Sequence, residues 1–137
     1  MNVVRCKNGV RFDVIAPAGF RLLGAIERAA RSSGRDLTVT CGTEAHQAAD
    51  PHSRGAAYDL RTHGMTDLEK DTLLHRILMD LSEGPLLDPL MNVSDGIACR
   101  HFWGWIEHPG EDNEHIHVQL RKGRSYPPEP SSKAVNA

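Results

Sequence analysis

The chain is poor in cysteine and in aromatic residues, carries no strong charge of either sign, and has no long apolar run. Its three cysteines, Cys6, Cys41 and Cys99, are odd in number and far apart. None forms a Cys-x-x-Cys pair, which argues against a disulfide framework and a thiolate zinc cluster and for reduced thiols. With a net charge of -2 over 137 residues and basic residues spread along the chain, nothing favours nucleic acid or an anionic membrane as partner. No apolar stretch approaches the roughly 20 residues that span a bilayer. The N-terminus "MNVVRCKNGVRFDV" has no apolar core of a secretory signal, so synthesis in the cytoplasm is expected. The length fits one domain with a modest core, expected to act as a monomer.

What is present is an alternation of short strand-like and helical segments. Residues 9–15 alternate Val10, Phe12 and Val14 with Arg11 and Asp13, a strand pattern. Pro17 opens a helical stretch to about Ser33, with Phe20, Leu23, Ile26 and Ala30 at helical spacing and Gly34 as its stop. Residues 36–41 are rich in β-branched side chains and predict a strand. Residues 42–55 read as loop and 56–61 as strand. A second helix is expected over Asp67–Leu81, with a Thr66/Glu69 capping box and an apolar face of Leu73, Leu74, Ile77, Leu78 and Leu81. After a loop at 85–95, residues 97–108 and 115–120 predict strands of a hairpin around "PGEDN". The pattern is α+β: two helices packed on a small, mainly antiparallel sheet. One domain is expected over residues 1–121, followed by a disordered tail at 122–137 rich in proline and serine.

Two short stretches concentrate chemistry. In "AAYDLR", Tyr58 and Leu60 suit the core, so Ala57 and Asp59 share the other face. In "EHIHVQL", Ile116 and Val118 suit the core, leaving His115 and His117 together. His52 precedes the first strand, and Gly55 permits a sharp turn that would fold it back toward Asp59. Two imidazoles and a carboxylate suit Zn²⁺ with a fourth position left for water, so His52, Asp59 and one of the last two histidines form a candidate ligand set for a single ion. Glu114, three residues before His117, is a candidate base for the zinc-bound water. A His-x-His on a strand is by itself usually solvent-facing, and Asp59 could instead pair with Arg54 or Arg61. The joint pattern is what points to metal.

His-x-x-Gly-x-Ala-x-Asp followed by Glu-x-x-His resembles the zinc D-Ala-D-Ala peptidases. That group includes the Hedgehog signalling domain and bacteriophage endolysins that cleave peptidoglycan stem peptides. The resemblance runs from about Pro17 to Leu120, with element order alone outside the two motifs. It implies a Hedgehog/DD-peptidase-like fold, zinc held by His52, Asp59 and His117, Glu114 as catalytic base, and His115 as a neighbour assisting the oxyanion or the substrate. It implies a peptidoglycan peptide as substrate, cut either as a D-Ala-D-Ala carboxypeptidase or as an L-Ala-D-Glu endopeptidase. A phage origin, with release to the cell wall, would reconcile that substrate with the missing signal.

The chain departs from the family in two places. Asp50 stands where a serine is common, and "CGTE" places Glu44 where a substrate-holding arginine is common. Arg54 or Arg61 could replace that arginine. Trp103 and Trp105 share a strand face and could wall a substrate groove, although aromatic residues on a sheet more often pack. His46 reads as a solvated loop residue, and Cys41 lacks the His-Asp partners of a thiol nucleophile. The alternative function is a non-catalytic zinc-binding interaction domain of the same fold. A nuclease built on His108, Asn113 and His117 lacks the basic patch it would need.

Overall fold

A computed structural model describes residues 3–44, 50–52 and 54–128. Helix α1 spans Pro17–Ser33, with proline at its start and Gly34 closing it at φ 66°. Its buried stripe is Ala18, Leu22, Ala25, Ile26, Ala29 and Ala30, while Phe20, expected on that stripe, is 64% exposed. Helix α2 spans Asp67–Leu81 and opens on the expected Thr66/Glu69 capping box. It buries Leu73, Leu74, Ile77, Leu78 and Leu81. The helices are tied together by Asp80, which accepts from both Arg21 and Arg28 at 2.6 Å.

The strands are β1 (Val4–Cys6), β2 (Leu37–Cys41), β3 (Ala57–Arg61), β4 (Met91–Val93), β5 (Gly96–Ala98), β6 (Phe102–Glu107) and β7 (His115–Leu120). They form one mixed sheet in the order β1-β2-β3-β7-β6-β5-β4, parallel only between β1 and β2. Among the described residues the class is therefore α+β, with two helices on a seven-stranded sheet. Tyr58, Leu60, Ile116, Val118, Val39 and Phe102 are fully buried in the core with Leu22, Ile26 and Ile77 of the helices. Alternate residues of the central strands turn to the opposite face.

Two strand expectations need correction. Residues 9–15 form no strand; the first strand lies earlier, at β1. The 10–13 stretch is held instead by the chain just past β2. Arg11 N–H donates to Glu44 Oε1 at 2.9 Å, Thr43 N–H donates to the Arg11 carbonyl at 2.8 Å, and Asp13 N–H donates to Thr43 Oγ1 at 3.1 Å. Side-chain acceptors take the place of a ladder, and Gly42 permits the approach, since a Cβ there would meet the Arg11 carbonyl oxygen at 2.2 Å. The single strand expected over 97–108 is broken into β5 and β6 at Cys99–His101. Asp88 takes the Arg100 N–H there at 2.8 Å, and Cys99 N–H donates to the Phe102 carbonyl at 3.0 Å. The loop expected at 85–95 contributes β4.

The tail expected from Lys122 lies partly outside the described residues. Within them, Tyr126 packs on Phe102 with ring centroids 5.4 Å apart and leans against the core. Among the described residues, no helix is long and apolar enough to cross a membrane.

Candidate metal centre

Strand pairing brings the two motifs together. β3 and β7 run antiparallel with Asp59 directly opposite His117, and Tyr58 and Leu60 opposite Val118 and Ile116. The apolar pairs go to the core, so the polar pair lies on the other face. His117 Nδ1 lies 2.8 Å from Asp59 Oδ1. His52 arrives from the loop before β3, with Nε2 3.2 Å from Asp59 Oδ1 and 3.3 Å from His117 Nδ1.

That loop is built to deliver His52. Asp50 Oδ1 accepts the His52 N–H at 2.8 Å, so the aspartate caps the turn. Gly55 has φ 66°, and its N–H donates to the His52 carbonyl at 3.0 Å. A Cβ on Gly55 would meet the Val14 carbonyl oxygen at 2.0 Å and Ile15 Cα at 2.7 Å. Glycine is thus required both for the left-handed turn and for the close approach of the 14–15 segment.

All three side chains are buried, His52 at 4% exposure, His117 at 6% and Asp59 at 9%. Burial opposes a charge on Asp59, but hydrogen bonding to His117 and His52 more than offsets it and holds the carboxyl well below the usual carboxylate range. Burial likewise opposes a charged His117, and Asp59 overcomes it, raising the imidazole. Asp59 is therefore held as a carboxylate against the two imidazoles, which it in turn holds in place. On the far side of the ring, His117 Nε2 lies 2.8 Å from Gln119 Oε1. Donation of Nε2–H to that oxygen leaves the lone pair of a neutral imidazole at Nδ1, facing Asp59 and His52.

Other residues gather around the three. His115 Nε2 is 3.5 Å from Asp59 Oδ2 and 3.1 Å from Glu107 Oε2. Trp105, opposite His117 across β6 and β7, stacks on it at 4.2 Å between ring centroids, and Trp103 packs on Trp105 at 4.8 Å. Cys41 stands opposite Asp59 across β2 and β3. Plain alternation would send Cys41 to the core with Val39. The register shifts between Val39 and Cys41, a bulge that re-aims the thiol to the face of Asp59. Burial first, then the Asp59 charge, pushes the Cys41 thiol up to about 12, so on its own it is a protonated thiol at neutral pH.

Cys41, His52 and Asp59 offer ligand atoms that all lie within 4.8 Å of one another, and among the described residues this group could hold a metal ion. The sequence reading set Cys41 aside, and it missed Glu107, Gln119 and the stacking of Trp105. Glu107 and Gln119 had a signal in the strand alternation that placed His115 and His117, whereas Cys41 depends on the bulge.

The remaining expected residues are placed as follows. Glu114 lies in the turn before β7, and its carboxylate is engaged on both oxygens. Oε1 receives Lys70 Nζ at 2.7 Å and Thr62 Oγ1 at 2.6 Å, while Oε2 receives the Gly110 N–H at 2.8 Å. Lys70 and these donors pull its pKa down to about 2. Glu114 nonetheless lines, with Asp59, Cys41, Arg61, His115 and Lys70, a cavity of about 900 Å³. Arg61 is exposed at the end of β3, and Arg54 is exposed in the turn beside Gly55. Trp103 is half-buried on the site face. Glu44 is occupied with the N–H groups of Arg11 and Gly42. His46 lies outside the described residues. In comparison with known proteins, no family model, curated protein or solved structure matches this chain.

Proposed function

We propose that the chain is a zinc peptidase of the Hedgehog/DD-peptidase type that hydrolyses D-amino-acid-containing peptidoglycan stem peptides. The observation that carries the metal is the convergence of His52 Nε2, Asp59 Oδ1 and His117 Nδ1, separated pairwise by 2.8–3.3 Å. Ligands on a tetrahedral zinc, with bonds of about 2.0–2.1 Å, stand about 3.3 Å apart, so the donor set fits such an ion. The substrate class rests on the resemblance of the two motifs to that family. When bound, zinc supplies a Lewis acid for the scissile carbonyl and lowers the pKa of water.

The protein's own groups divide the remaining work. Asp59 holds the imidazoles in position, and Gln119 fixes the tautomer of His117. His115, backed by Glu107, can accept or return a proton at Nε2 beside the ligands. Glu114, the base expected from the motif, takes that role only if Lys70 withdraws from it. Arg61 borders the cavity and is the better placed of the two arginines to meet a substrate carboxylate. Trp105 and Trp103 wall the site with apolar surface.

The test incubates the zinc-loaded protein with casein, with a pentapeptide ending in D-Ala-D-Ala, and with muropeptides carrying an intact L-Ala-D-Glu bond. Cleavage of either wall substrate is expected; cleavage of casein alone overturns the assignment. One observation favours the alternative, a non-catalytic zinc-binding interaction domain: the carboxylate expected as base is neutralised by Lys70. Zinc binding without hydrolysis of any of the three substrates would support it.

A further inference from the structure

The three-donor centre leaves a fourth position, and the family pattern gives that position to water. In this chain a thiol stands next to it. Cys41 is brought there by the register of β2 against β3. β2 pairs Cys41 directly with Asp59, and the bulge after Val39 turns the side chain from the core to the face of the ligands. The result is that the sulfur lies within 4.8 Å of a ligand atom of His52 and of one of Asp59. His117 in turn lies 3.3 Å from His52 and 2.8 Å from Asp59. Cys41 therefore stands beside His52 and Asp59, the two residues that His117 also meets.

We infer that Cys41 is a fourth protein ligand of the bound metal, making a Cys-His-Asp-His site that closes when its thiolate binds. This rests on the metal reading above and deepens it. As the sulfur–metal bond forms, the S–H proton passes to solvent, so binding at this position releases a proton. Structural zinc sites are closed by four protein ligands, often thiolates, whereas catalytic sites keep an open position. The consequence is a gate. With Cys41 bound, the ion is fully held by protein; water gains access only when the thiolate leaves.

The test uses cobalt(II) as a spectroscopic substitute in the full-length protein stripped of metal. A near-ultraviolet sulfur-to-cobalt charge-transfer band is expected, together with intense visible bands of a four-coordinate ion. Cys41→Ser should bind cobalt and lose the near-ultraviolet band, while Cys6→Ser, altering an exposed thiol, should keep it. If cobalt binds the unmodified protein with no such band, Cys41 is not a ligand, and the His52, Asp59 and His117 site stands without it. If no cobalt binds, the metal reading falls as well. Because the first result is read on the unmodified protein, poor folding of a variant cannot mask it. Protection of Cys41 from iodoacetamide by bound cobalt, with Cys6 labelled at an unchanged rate, gives a second readout. Equal labelling of Cys41 with and without cobalt, at a pH where the metal-free thiol reacts, overturns the inference.

Discussion

The two faces of the central sheet are made by the same strands and do opposite work. On one face Tyr58, Leu60, Ile116 and Val118 are fully buried among apolar neighbours from α1 and α2. On the other, one residue away in each case, Asp59 and His117 are nearly as buried but hold the carboxylate charge of Asp59. The apolar face secures register, because a slip by one residue would exchange the two sets. The polar face is thereby held in place at little cost in its own packing. Site precision in this protein comes from the side of the sheet that has no chemistry.

This comparison can be broken from the core side first. Ile116→Ala should cost about 2–5 kcal/mol of stability, the range for deleting a large buried aliphatic side chain. At temperatures where the variant is folded, its zinc stoichiometry should be unchanged. Denaturant unfolding with and without zinc measures both. Loss of metal from a folded Ile116→Ala protein would mean that the two faces are not separable.

On the site face, Gln119→Leu keeps the size of the side chain but removes the acceptor of His117 Nε2. Metal affinity should fall by roughly 10–100-fold, as for other partners that orient a ligand, with stability little altered. Competition with a chromophoric chelator measures it. Unchanged affinity would show that Gln119 does not set the tautomer.

At the margin of the core face, Tyr126→Ala should cost about 1 kcal/mol, since its ring pairs with Phe102. A thermal melt checks this. No change would show that the segment beyond Lys122 adds nothing to the domain.

The smallest effect at neutral pH concerns the clamp on Glu114. Its folded pKa, about 2, is depressed from 4.5 by Lys70, Thr62 and Gly110. The clamp's stabilisation is therefore fully present above pH 4.5 and is lost as pH falls toward 2. Lys70→Met should weaken the acid dependence of stability in that window. Urea unfolding at several pH values tests it, and an unchanged profile would remove Lys70 as the cause.

Period-two alternation made the two faces legible in the sequence, and so it exposed Asp59, His115 and His117. Both helices were legible for an equally local reason: Thr66/Glu69 and Gly34 mark their own termini. What escaped depends on tertiary contacts. The alternation of residues 9–15 suggested a strand, but those backbone groups are taken by Thr43 and Glu44. The break at Cys99–His101 depends on Asp88, reaching from outside the segment. Cys41 was hidden because one bulge inverts its face. The ionic partner of Glu114 lies on a helix more than forty residues away in sequence.

The most direct test of the account is the zinc content of the purified protein and of His117→Ala, measured by elemental analysis beside circular dichroism. The account predicts one zinc per chain in the unmodified protein and near-complete loss in a variant that keeps its secondary structure. Full zinc stoichiometry in folded His117→Ala, or none in the zinc-supplemented unmodified protein, would contradict it.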